Sequence, residues 1–211
     1  GAIICGTMPI VAVGLGFIHG WITVGNLRYI PTSTYLQNIG LAIVITVSIA
    51  IAEEHVFRGY VLTNAIEGLD LRWLSGTTTL LVAWSVSALL FGLIHPAPTL
   101  VAGIHFLSAG FLLGLAYLLS GQLGLPIGIH AGFNFVSGYV VPISSEQSLV
   151  VVPLSVTGPA WLTGQTGLIQ TGLQIPAALG ILGYLWWRTG RVGVAPRIRS
   201  KLDDEWANKV K

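Results

Sequence analysis

Apolar residues in this chain fall in long unbroken runs rather than in alternation, and each run stops at Gly, Pro, a polar cluster or interfacial aromatics. A bilayer span needs about 20 predominantly apolar residues. Hydrocarbon leaves no partner for an unpaired backbone amide, so each run is expected as an α-helix. The runs predict six spans: Ile3 to about Trp21, Tyr35 to about Ile66, Leu80 to His95, Ala102 to Leu119, Leu125 to Val141 and Leu168 to Trp187. The alternating pattern of a transmembrane barrel is absent. The expected fold class is therefore all-α, a polytopic transmembrane helical bundle.

The connections follow from the punctuation. Asn26 to Ser33, with Arg28 and Pro31, reads as a loop, and Glu67 to Thr79 reads as a polar connection. Pro96 and Pro98 end the third span, because the residue before a proline is driven out of the helical region. Pro142 closes the fifth. Trp186, Trp187 and Arg188 form an interfacial stop to the sixth. The first run starts at Gly1 without a positively charged leader, so it does not read as a signal peptide, and six spans is a lower bound.

Composition removes the soluble alternatives. The chain is 53% hydrophobic and 9% charged, against roughly 25% charged in a soluble domain. No Asp, Glu, Lys or Arg occurs between Arg72 and Glu146. A net charge of +2, with no basic stripe before residue 188, argues against a nucleic-acid partner. The single cysteine, Cys5, excludes an internal disulfide and a cysteine zinc cluster, and is expected to pack or to face lipid. Residues 1–187 thus read as the transmembrane domain and 188–211 as a charged tail. Seven Lys and Arg in that tail place it in the cytoplasm by the positive-inside rule, with Arg58 and Arg72 on the same side and Arg28 opposite. The tail is expected as a solvated anchor with at most a short surface helix.

Ionisable groups inside spans are costly and point to function. The second span carries Glu53-Glu54-His55-Val56-Phe57-Arg58-Gly59. Glu54 and Arg58, four residues apart, pair along one helix face. Glu53 points about 100° away from Glu54 and is free for proton transfer. The competing reading makes all three a buried ionic staple. Phe91-Gly92-Leu93-Ile94-His95 closes the third span, and His130-Ala131-Gly132-Phe133-Asn134 sets His130 and Asn134 on one face of the fifth. Two histidines, an asparagine and a spare carboxylate make a set able to activate water against a carbonyl. His105 is expected as an interhelical or packing residue, His55 is open between two faces, and His19 sits near an interface. Gly110 with Gly114, and Gly128 with Gly132, are spaced for close helix packing.

These three motifs, in this order, resemble those of the CPBP family of CAAX proteases and bacteriocin-processing or self-immunity membrane proteins, which includes the type II CAAX prenyl endopeptidases. Glu53-Glu54-x-x-x-Arg58-Gly59, Phe91-x-x-x-His95 and His130-x-x-x-Asn134 carry the likeness, supported by Gly124-Leu125-Pro126-Ile127, over a core of about residues 43–141. The resemblance implies an intramembrane endopeptidase with Glu53 as catalytic glutamate and His95, His130 and Asn134 completing the site. Its substrate would be a peptide or a lipidated CAAX-type protein in the bilayer.

Other intramembrane protease signatures are missing: no His-Glu-x-x-His, no Gly-x-Ser-x-Gly and no Gly-x-Gly-Asp. In the expected mechanism Glu53 deprotonates water, His95 orients it, and His130 with Asn134 donates to the oxyanion. Glu54 and Arg58 hold the helix. The cofactor is either none or zinc, since Glu53, His95 and His130 also make a zinc ligand set. A catalytically silent immunity or partner-binding protein and a proton-coupled transporter stay open, as does the oligomeric state. One conflict is plain from the spacing. Glu53 lies near the middle of a long second span, whereas His95 lies at the end of the third, so catalysis requires a cavity at membrane depth or different boundaries.

Overall fold

The computed structural model describes residues 1–25, 31–69, 74–142 and 154–209, with side chains through 202. Arg28, Asp70, Arg72 and Glu146 lie outside the described residues. Helix α1 (Ala2–Ile18) leads to a short strand β1 (Ile22–Val24). Helix α2 (Thr32–Gly68) follows, then α3 (Gly76–Ile94), α4 (Leu100–Ser120) and α5 (Gly124–Phe135), the last continued by a π turn, Val136–Val140. Strand β2 (Leu154–Val156) pairs antiparallel with β1, with Ile22 opposite Val156. The short α6 (Ala160–Thr163) and α7 (Leu168–Gly172) precede α8 (Gln174–Thr189) and α9 (Pro196–Lys209). The fold is an all-α membrane helical bundle. Among the described residues, four helical stretches, Thr32–Gly68, Gly76–Ile94, Leu100–Ser120 and Ala160–Thr189, are long and apolar enough to cross a membrane.

Three departures from expectation have physical causes. The strand pair was not expected from the polar, Gly-rich stretches that supply it; it closes one end of α1 onto the segment before α6. The sixth span begins earlier and is broken: α6 and α7 are single turns separated by Gly164 and Gly167, and only α8 is continuous. The tail is not simply solvated. Ala195 and Ile198 are buried with Leu62, Ile66 and Leu118, the Ala195 N–H donates to the Leu118 carbonyl at 2.9 Å, and Lys201 pairs with Glu67. Ala195, Ile198 and Leu202 recur at helical spacing among the charges, so α9 has an apolar stripe of its own.

The central core gathers Cys5 and Met8 of α1, Phe57, Phe91, Leu112, Leu113, Ile129 and Ile181. Cys5 is thus a packing residue. Outward faces remain apolar, as lipid requires: Leu36, Leu41, Val44, Leu81, Leu89 and Leu179 are all exposed.

α3 and α4 approach each other closely. A Cβ on Gly110 would lie 2.8 Å from the Ala88 carbonyl oxygen and 2.9 Å from the Ala88 Cα. Small residues let helix backbones meet in this way. Gly110→Ala is therefore expected to push the helices apart and to lower stability by about 1–3 kcal/mol. Gly183→Ala, where a Cβ meets nothing within 4 Å, is expected to be neutral or to stabilise by up to about 1 kcal/mol. Thermal unfolding of both variants in detergent checks the contrast.

Candidate active site

Helix α2 is continuous for 37 residues, about 55 Å at 1.5 Å per residue. This length resolves the conflict of depth. α3 runs back alongside the final fifteen residues of α2 after Glu53, so the end of α3 reaches the middle of α2. His95 Nε2 accordingly lies 3.7 Å from Glu53 Oε2. The second span does pass through Glu53 near its midpoint, but its first half continues beyond the end of α3.

Directly after Glu54 the helix widens into a π segment, His55–Leu62. Such segments shift the helical register and leave carbonyls to be satisfied from outside the ladder. Here Ser87 of α3 donates to the Phe57 carbonyl at 2.9 Å, and Thr63 donates to the Arg58 carbonyl at 3.0 Å. The widened turn delivers Arg58 into the bundle, where it is fully buried.

Arg58 is held on several sides. Its Nη1 donates to Glu54 Oε1 at 2.9 Å, its Nη2 donates to the Gly110 carbonyl at 2.9 Å, and its guanidinium carbon lies 4.6 Å from the centre of the Phe91 ring. Glu54, also fully buried, accepts at the same oxygen from His130 Nδ1 at 2.8 Å. These contacts join α2, α3, α4 and α5. The ionic-staple reading therefore describes Glu54 and Arg58, and the free-carboxylate reading describes Glu53.

Glu53 is 26% exposed, yet its Oε2 atom is buried and has no hydrogen-bond partner among the described residues. Two imidazole nitrogens face it: His95 Nε2 at 3.7 Å and His130 Nε2 at 3.9 Å. Both distances exceed a direct hydrogen bond. The histidines are oriented through their other nitrogens. His95 Nδ1 lies 2.7 Å from the Phe91 carbonyl, which can only accept, so the proton is on Nδ1. His130 Nδ1 likewise donates to the Glu54 carboxylate. In the neutral ring each Nε2 presents a lone pair toward Glu53. Local sequence explains His95: Pro96 forces it into an extended conformation, φ −87° and ψ 131°, at the end of α3. Its ring stacks on Phe106.

Asn134 stands one turn beyond His130 on α5, half-buried, with no side-chain hydrogen bond among the described residues. The structure thus brings Glu53, His95 and His130 together and places Asn134 on the same helix as His130. His55 is not part of this set. It is exposed, with Nδ1 2.7 Å from the Ile51 carbonyl. His105 contacts Thr171 at 3.2 Å and Gln174 at 3.4 Å across helices, while Ser108 bonds only its backbone. His19 stacks on Trp21. Among the described residues no three His, Cys, Asp or Glu side chains are arranged to hold a metal ion.

Sequence reasoning missed the supporting roles of three residues. Gly110 read only as packing, yet its carbonyl receives Arg58. Phe91 supplies both a ring for Arg58 and a carbonyl for His95, and its place four residues before His95 was the available signal. Ser87 gave none, because its partner exists only where the π segment frees a carbonyl.

Comparison with known proteins found one family. Residues 35–136 match the family described as type II CAAX prenyl endopeptidase Rce1-like, a stretch that contains Glu53, Glu54, Arg58, His95, His130 and Asn134. Neither a curated protein nor a solved structure matches the chain. Through this core, the chain is similar to the type II CAAX prenyl endopeptidase Rce1-like family.

Proposed function

We propose that the protein hydrolyses a peptide bond of a membrane-associated, CAAX-type lipidated substrate, with Glu53 as general base and no metal ion. One observation carries this reading: a buried, unbonded carboxylate oxygen faced by two imidazole nitrogens. Glu53 and His95 Nε2 would hold a water molecule by its two protons and leave its oxygen free to attack, with His130 Nε2 beside them. Glu53 takes one proton as that oxygen adds to the scissile carbonyl, and His95 Nε2 accepts a hydrogen bond from the other. Return of the proton to the departing amine completes addition of water across the C–N bond.

The expected roles shift in one respect. His130 was expected to donate to the oxyanion, but its Nδ1 proton is committed to Glu54, so its role becomes holding the space around Glu53. Oxyanion donation falls to the Asn134 amide, whose side chain is uncommitted among the described residues. Asn134→Ala is expected to lower kcat by about 10²–10³ with little change in KM. Steady-state cleavage kinetics check it.

The lipidated substrate is supported by the family and by the apolar flanks of the site. Leu93, Ile94 and Val56, neighbours of His95 and Glu53 in the chain, are exposed. The tail side is assigned to the cytoplasm from its seven Lys and Arg. Zinc held by Glu53, His95 and His130 is the alternative chemistry. The experiment is cleavage of a farnesylated CAAX peptide, its unprenylated form and a peptide library by purified protein in vesicles, with and without a chelator. Release of the C-terminal tripeptide from the farnesylated peptide, insensitive to chelator, is expected. Loss of cleavage on chelation, restored by zinc, would replace the base mechanism with a metal one.

A further inference from the structure

At the end of the bundle away from Glu53 a cavity of about 650 Å³ opens between the last turn of α8, the start of α9 and the turn joining α4 to α5. This is within the range of small-ligand sites. Three arginines line it: Arg188 from α8, Arg191 from the connection and Arg199 from α9. None of them pairs with a carboxylate among the described residues. Arg188 is steadied by the Tyr184 hydroxyl, to which its Nη1 donates at 3.0 Å. Ser120 and Gln122 add polar groups to the wall, Leu125 an apolar one, and Gly1 lies at one edge. Pro196, at the first position of the 14-residue α9, also lines the cavity, so the positive end of that helix faces it.

Depth identifies the ligand. Trp186 and Trp187 are 63% and 79% exposed immediately before Arg188, and exposed tryptophans at a span end mark the headgroup layer. Basic pockets between helices at that level select phosphate-bearing lipid headgroups. We propose that Arg188, Arg191 and Arg199 form a binding site for the phosphate of an anionic phospholipid, which ties the tail helix α9 to the membrane-facing end of α8. The site lies apart from Glu53 and does not rest on the proposed hydrolysis.

Native mass spectrometry of the purified full chain in detergent, titrated with phosphatidylglycerol or phosphatidylcholine, tests it. The expected result is retention of one phosphatidylglycerol in preference to phosphatidylcholine, weakened about fivefold by each of Arg188→Ala, Arg191→Ala and Arg199→Ala. Arg197→Ala removes the same charge from the same helix without lining the cavity, and is expected to leave retention unchanged. Equal weakening by Arg197→Ala, or equal retention of both lipids, overturns the proposal, because either means general attraction to a basic tail. Inorganic phosphate at millimolar concentration distinguishes the source. Persistence of the lipid supports a headgroup site, and displacement by phosphate overturns the lipid assignment in favour of a free anion. Thermal unfolding of each variant without added lipid separates loss of the site from loss of the fold: a variant that melts like the parent yet keeps full retention also overturns it.

Discussion

Glu53→Gln is expected to reduce cleavage by about 10²–10⁴, the usual contribution of a positioned general base, and to leave the unfolding temperature nearly unchanged. The two expectations come from the same atoms. The carboxylate oxygen that faces His95 and His130 makes no hydrogen bond among the described residues, so an amide of the same shape breaks no bond. The amide cannot take a proton from water. Surviving hydrolysis in a folded Glu53→Gln protein would sink the general-base mechanism. A large drop in stability would instead place Glu53 in the staple with Glu54. The same variant separates the other readings left open by the motifs. A silent partner-binding protein predicts no cleavage by the parent, and a proton-coupled transporter predicts that uptake into vesicles, without peptide hydrolysis, is what Glu53→Gln abolishes.

How much of this was legible beforehand depended on range. The four long apolar helices were legible because lipid imposes one rule on every residue of a segment, whereas the first and fifth expected spans fall on shorter helices, Ala2–Ile18 and Gly124–Phe135. Pairing of Glu54 with Arg58 was legible because it is a contact within one helix. Glu53 was separable from Glu54 for the same reason, the angle between adjacent helical residues. What stayed hidden depended on contacts between helices. Nothing near Gly110 in the chain shows that its carbonyl receives Arg58, fifty-two residues away. The π segment was hidden too, and with it the need for Ser87. His130 was expected at the site, but the acceptor of its Nδ1 proton, Glu54, is seventy-six residues distant and was not foreseen. The tail was misjudged by composition. Its charges outweigh its apolar residues in number, but Ala195 and Ile198 fall on one face and bury that face.

Arg58→Ala is expected to cost about 3–5 kcal/mol, the penalty for leaving one member of a buried ion pair without its partner. Glu54 would remain fully buried with His130 alone against it, and the second bond to Gly110 would vanish. Marginal stability of about 5–15 kcal/mol makes a loss of that size visible as a large fall in unfolding temperature or as poor recovery of folded protein. The double variant Glu54→Gln, Arg58→Met tests whether the loss is electrostatic. It removes both charges and restores apolar volume beside Phe91, so it is expected to be more stable than Arg58→Ala. Equal instability of the two would mean that packing of Arg58 against Phe91 and Gly110, not its charge, holds the helices together. Activity is expected to fall in both, for a reason different from that in Glu53→Gln. Arg58→Ala frees the Glu54 carboxylate that receives the His130 Nδ1 proton, and the double variant replaces that carboxylate by a weaker amide acceptor, so in both the His130 Nε2 is less firmly aimed at Glu53. The staple and the proposed base are adjacent residues with opposite demands. One must stay ionised, buried and still, and the other must stay unbonded until water arrives.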